Sequence, residues 1–234
     1  MKAFVVDLDS SENQSILKPI ARPFNNQAHQ VNEAAEKIHE LIKNAPYSND
    51  NIVLKRNEIK EAFFSPFKPQ LKNTQVFLSH SHADKNKALE VKDYLESQTK
   101  RKVFIDSLFW DYKDDVLNKL AKHDDISKIE DAFTLILRES LQDVIEKCPY
   151  FVFLQSKNSV SLNQDLLKIT YSAWIYEELK IANTLIADTT IKESHIKAMR
   201  ISYDITNLLG RFKPISLDSL CKKIAFNLIT KDAK

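Results

Sequence analysis

Ser79, His80, His82 and Asp84 follow directly on a short apolar run, Val76-Phe77-Leu78, and Asp106-Ser107 follow on a second, Val103-Phe104-Ile105. Two hydroxyls, two imidazoles and two carboxylates are thereby collected just past the ends of two successive strands. In an open α/β sheet that edge is where ligands bind. Ser156, Asn158 and Ser159 follow a third apolar run, Tyr150–Leu154, and belong to the same edge. Phe109, Trp110 and Tyr112 come soon after Asp106, as aromatics that either stack on a planar base or pack beneath a loop.

Glu178 stands out by geometry. At about 100° per residue, Trp174, Ile175, Leu179, Ile181, Ala182, Leu185 and Ile186 share one broad arc of a helix, and Glu178 falls near its middle. Glu177 projects away from that arc. A carboxylate aimed into an apolar face must be paired, protonated or set beside a cleft. The plain alternative is a salt bridge to a cation such as Arg138.

His80, His82 and Asp84 also have the spacing of a zinc-binding turn. Lys85 then places a cation where the next ligand should stand, and the other histidines show no ligand pattern. No metal is expected. The ordinary reading of this turn is a helix start with Asp84 as N-cap.

The elements that must hold these residues alternate from about Val76 onward. A helix with the stripe Ala88, Val91 and Leu95 follows the first strand, and Lys102 to Ile105 reads as a buried strand. Asp111 to Ile129 is highly charged without a clean period and reads as a loop or short helices. Phe133, Ile136, Leu137, Leu141, Val144 and Ile145 repeat at helical spacing. Ser172 caps the helix of Glu178, Met199 to Tyr203 reads as a weak strand, and Leu217 to Ile229 as a final amphipathic helix. This order predicts a parallel sheet with helices on both faces.

Residues 1–73 differ in character. Val31 to Ile42 and Arg56 to Phe64 are helical patterns, and Pro66 and Pro69 separate them from the sheet. An accessory helical extension, 1–73, beside a domain, 74–234, is the expectation, because so few apolar residues hardly sustain a core alone.

Composition narrows the chemistry. The single glycine, Gly210, excludes a Walker A loop and a dinucleotide fingerprint, both of which need several. A formal charge of +2 over 234 residues gives no reason to expect nucleic acid or membrane binding. Met1 to Leu8 is cut short by Asp7 and Asp9, so it does not read as a signal peptide. Cys148 and Cys221 fall in apolar patterns and read as reduced core thiols of a cytoplasmic protein.

Taken in order, Gln75–Lys85, Lys102–Ser107 and Tyr150–Ser159 with Ser172-x-Trp174-x-x-x-Glu178-Leu179 resemble the three boxes of the Toll/interleukin-1 receptor (TIR) domain, in its bacterial NAD⁺-cleaving branch. The resemblance spans about Thr74 to Ile229. It implies a flavodoxin-like five-stranded parallel sheet, and one of two activities: NAD⁺ cleavage or protein interaction. In the enzymatic branch a glutamate four residues after the tryptophan is catalytic, which corresponds to Glu178. Ser79, His80, Asp84, Asp106, Trp110, Ser156 and Trp174 correspond to the surroundings of the nicotinamide and ribose. NAD⁺ is then substrate and no cofactor is needed. TIR–TIR contacts imply a homo-oligomer, and a nucleotide product implies a downstream effector, in antiviral defence. The chain departs from the family in lacking Pro and Gly over Ser107–Asp114, and in a long segment between the second and third boxes.

Overall fold

The computed structural model describes residues 1–18, 28–45, 47–48, 51–52, 54–65, 71–122, 127–162, 167–186 and 202–229. The chain divides into two compact units. One comprises Met1–Ile20, Thr74–Asp106 and Gln142–Lys234, the other Ala21–Asn73 and Ser107–Leu141.

The first unit is built on a five-stranded, all-parallel sheet of the flavodoxin-like α/β kind. Its strands are β1 (Lys2–Asp7), β4 (Thr74–Ser79), β5 (Lys102–Ile105), β6 (Tyr150–Gln155) and β10 (Lys213–Pro214), in the spatial order β10-β1-β6-β4-β5. Parallel strands sandwiched between helices are apolar on both sides, and here Phe77, Leu78, Phe151, Val152, Phe153 and Leu154 are all buried. On one face Phe77 stacks between Phe104 and Phe151, with ring centroids 5.6 and 5.5 Å away. Side chains alternate along a strand, so Ser79 and Asp106, each two positions beyond one of these rings, extend the same face past the strand ends. The other face carries Phe4, whose ring lies 5.2 Å beneath the Lys223 ammonium of the helix Leu217–Ile229.

The N-terminal residues correct the expected boundary at residue 73. Rather than belonging to an accessory extension, Lys2–Asp7 is an interior strand, paired in register with both β6 and β10. Ala3, Phe4, Val6 and Leu8 are buried. The buried Asn13 fixes this segment from the helix Ser11–Ile16: its amide donates to the Asp7 carbonyl at 2.8 Å, and its oxygen accepts from the Leu217 backbone N–H at 2.9 Å.

Of the expected strand at Met199–Tyr203, Tyr203 falls in a described strand, and that strand is not part of this sheet. Residues 199–201 lie outside the described residues, and β9 (Tyr203–Asp204) instead runs antiparallel to β8 (Lys168–Thr170), which pairs with β7 (Ser161–Leu162). β1 takes a place between β6 and β10.

In the second unit the helices Ala28–Asn44 and Arg56–Phe64 occur as expected, and a small antiparallel pair, β2 (Tyr47–Ser48) and β3 (Asn51–Ile52), lies between them in sequence. Asp111–Ile129, expected as a loop or short helices, falls on the end of one helix, Ser107–Leu120, and the start of another, Ser127–Lys147, with residues 123–126 outside the described residues. Tyr112, Val116, Leu117 and Leu120 form the buried stripe of the first, and the intervening charges Lys113, Asp114 and Asp115 hide that period. Tyr112 meets Phe63 edge-on at 4.8 Å and donates its hydroxyl to the Phe63 carbonyl at 2.8 Å, while Phe133 meets Phe63 at 5.0 Å. Tyr112 is therefore a core residue, not a base-stacking loop aromatic.

Candidate functional site

Three strand ends deliver the polar residues. Ser79 closes β4, with His80 next in sequence; Asp106 follows β5; Ser156 follows β6. These strands are neighbours in the sheet, in the order β6-β4-β5. A parallel arrangement puts all of their carboxyl ends on one edge, so side chains far apart in sequence converge there. Ser79, His80, Asp84, Asp106 and Ser156 are all buried.

The His80 Nδ1 stands 2.7 Å from the Asp106 Oδ1, with the imidazole entirely enclosed. Burial by itself pulls the imidazole down, but the Asp106 carboxylate and then Asp84 outweigh it, so His80 is raised above its ordinary value. It holds its proton more firmly than an exposed histidine does.

Asp84 closes the short turn His82–Asp84 and stands at the N-cap position of the helix Lys85–Thr99. Its side chain does not cap that helix. It accepts instead from the Ser156 hydroxyl and, at 2.8 Å, from the Asn158 side-chain amide. The Ser156 oxygen in turn accepts from the Asn158 backbone N–H at 3.0 Å, and the Ser156 N–H donates to the Ser159 hydroxyl at 2.8 Å. Asp84, Ser156, Asn158 and Ser159 thus form a closed network joining the ends of β4 and β6. Their hydrogen-bonding capacity is largely used within it.

Glu178 lies on the helix Ala173–Leu185, which begins as expected: the Ser172 hydroxyl accepts from the Ile175 N–H at 3.2 Å. The helical projection is borne out, since Ile175, Glu178, Leu179 and Ala182 are buried and Glu178 has no exposed surface. The far end of the helix is held by Arg211, which donates to the Asn183 carbonyl at 3.0 Å and the Ile186 carbonyl at 2.6 Å.

The neighbours of the Glu178 carboxyl are Asp106 and Ser79. Burial, followed by the Asp106 charge, drives it well above the ordinary carboxylate range, and the Ser79 hydroxyl acts in the opposite sense. Among the described residues neither Glu178 oxygen has a hydrogen bond of regular geometry. Two carboxyls and an imidazole therefore lie buried together at the sheet edge.

The remaining expected residues are arranged differently. Trp174 is half-buried on the first turn of the Glu178 helix. The backbone of Trp110 belongs to the helix Ser107–Leu120, while its side chain lies outside the described residues. His82 is exposed whereas His80 is buried, so the two imidazoles do not converge. Among the described residues no group of three His, Cys, Asp or Glu side chains is placed to hold a metal ion. Burial raises the Cys148 thiol to about 12 and the Cys221 thiol to about 11, and both are free cysteines. Neither is a thiolate near neutrality.

Sequence reasoning missed the role of His80 as the partner of Asp106. The signal was there, because residues immediately past two strands adjacent in a parallel sheet are forced together. A pocket of about 580 Å³ belongs to the other unit, lined by residues including Lys37, Glu40, Leu41, Glu58 and Glu61. It contains none of these groups. No family model matches the chain, and no match is found among curated proteins or solved structures.

Proposed function

We propose that the chain is a TIR-like NAD⁺ glycohydrolase or cyclase, cleaving the nicotinamide–ribose bond to give ADP-ribose or a cyclic ADP-ribose signal. The observation that carries this reading is the placement of Glu178, four residues after Trp174, against the ends of the two strands that supply Ser79 and Asp106. Residues picked out by three separate sequence boxes meet at one sheet edge. Fold by itself does not establish activity, so the carboxyls bear the weight of the proposal.

Cleavage of that bond builds positive charge on the ribose anomeric carbon. A carboxylate beside the sugar stabilises the charge and holds the ribose hydroxyls in a reactive pose. Once nicotinamide has left, attack on the anomeric carbon by the adenine ring of the same ADP-ribosyl group gives the cyclic product, and attack by water the linear one. Glu178 is sealed from solvent, so turnover requires an opening at the sheet edge. Self-assembly is a natural trigger, and the reading includes a homo-oligomer, a cytoplasmic setting and a role in antiviral defence with an effector that senses the product. Among the described residues no helix is long and apolar enough to cross a membrane.

The same enclosure favours a second reading, a TIR-like adaptor without catalysis. Purified protein incubated with NAD⁺ separates the two, with nicotinamide release and product mass as readouts and Glu178→Ala as control. Release that the variant lacks supports the enzyme. No release from wild type, in dilute or crowded and assembled samples, leaves the adaptor.

A further inference from the structure

We propose that Asp106 is the positioning residue for Glu178: paired to His80 on one side, it carries the site's negative charge and keeps Glu178 in its acid form. As a role in catalysis this rests on the NAD⁺-cleaving reading, whereas the protonation pattern itself does not.

The geometry assigns the charges. The Asp106 Oδ1 lies 2.7 Å from the His80 Nδ1, and the imidazole is fully enclosed. Glu178 is wholly buried, and what faces its carboxyl is the Asp106 side chain and the Ser79 hydroxyl. Two neighbouring carboxylates that are both buried do not both ionise, and one keeps a proton. The imidazole decides which, because the carboxyl beside a cation is the one that ionises. His80 touches Asp106, so Asp106 is the anion and Glu178 the acid. The other charged group that acts on His80 among the described residues is Asp84, whose oxygens are occupied by Ser156 and Asn158. No cation from the described residues acts on Glu178.

This arrangement has a consequence for the site. In the acid form Glu178 stabilises no cationic sugar. It becomes an anion when it parts from Asp106 or when the volume admits water. The His80–Asp106 pair thus sets whether Glu178 is charged.

The test reads proton positions in the whole chain without NAD⁺. Infrared difference spectra of wild type and Glu178→Gln near neutral pH are expected to show an un-ionised carboxyl C=O band in the wild type that the variant lacks. In parallel, His80 is titrated by NMR through its imidazole signals. Glu178→Gln is expected to leave the His80 titration where it is, since an amide replaces a neutral acid. Asp106→Asn is expected to move it downward, below the ordinary histidine value. Absence of the carboxyl band, or a downward shift of His80 in Glu178→Gln, would show that Glu178 is ionised and would overturn the proposal. If Asp106→Asn does not fold, the Glu178→Gln pair of measurements decides alone. Nicotinamide release is scored separately, so a silent enzyme with this protonation pattern counts against the function and not against the positioning role.

Discussion

The His80 imidazole and the Asp106 carboxylate approach to 2.7 Å in a volume closed to solvent, each one residue past the end of its own strand. Adjacent parallel strands bring them together. An ion pair in such a place is costly to desolvate and costly to break by removing one member alone. Asp106 also acts on the Glu178 carboxyl, raising it further above the ordinary range.

Stability should therefore fall as pH rises. Glu178 is raised in the folded chain, so above its ordinary value of 4.5 the unfolded chain releases a proton that the native state still keeps. Across the window from there up to its folded value, stability drops by about 1.4 kcal/mol per pH unit. His80, also raised, adds stability that is complete below 6.5 and is lost as pH climbs through its folded value. Urea denaturation at a series of pH values should show this decline in wild type. Glu178→Gln should lose its Glu178 share and become more stable than wild type at the alkaline end.

Asp84 offers a prediction that needs no catalysis. Its carboxylate accepts from Ser156 and Asn158 with almost no exposure to solvent. Hydrogen bonds to a buried charge contribute roughly 1.5–3 kcal/mol each, so Asp84→Ala should cost about 3 kcal/mol. The loss should be local as well as global. The Ser159 and Val160 backbone N–H groups, which both donate to the Ser156 carbonyl, should exchange with solvent much faster in the variant. An unchanged exchange pattern would show that the loop holds itself.

The Tyr112 hydroxyl is a third handle, in the other unit. It is buried and donates to the Phe63 carbonyl at 2.8 Å. Tyr112→Phe keeps the ring and strands that carbonyl, for a loss of about 1–2 kcal/mol. Phe133→Ala empties the space against Phe63 and should cost about 3–5 kcal/mol. Thermal melts of the two variants should rank in that order.

These residues also show what could be read from the chain beforehand. Phe133 to Ile145 and the arc around Glu178 were legible because their apolar residues repeat at the helical period with few interruptions. Tyr112 and Val116 were not, since Lys113, Asp114 and Asp115 crowd between them and break the visible pattern. The part played by Asp84 was illegible for another reason: its partner Ser156 is 72 residues away, and nothing local distinguishes a cap from a clamp. His80 and Asp106 lay between these cases. Each was visible as a strand-end residue, but their pairing follows only once β4 and β5 are known to be neighbours.

The N-terminal strand is the extreme case, and it yields the sharpest prediction. Ala3-Phe4-Val5-Val6 is a short apolar run whose partners, β6 and β10, lie far along the chain, so local pattern gives no hint that it is interior. Without residues 1–8, β6 loses a full register of backbone partners, and the burial of Ala3, Phe4, Val6 and Leu8 is forfeited. At roughly 1.5–3 kcal/mol for each of the three larger side chains, the loss is comparable with the whole stability of a domain, about 5–15 kcal/mol. A chain beginning at Asp9 should therefore show no cooperative unfolding of the sheet and no slow exchange of the Phe151–Leu154 amides. Asn13→Ala, which keeps the strand but removes its ties to Asp7 and Leu217, should cost only about 2 kcal/mol and remain folded. If the shortened chain protects those amides as the full one does, β1 is not an interior strand, and the order β10-β1-β6-β4-β5 is wrong.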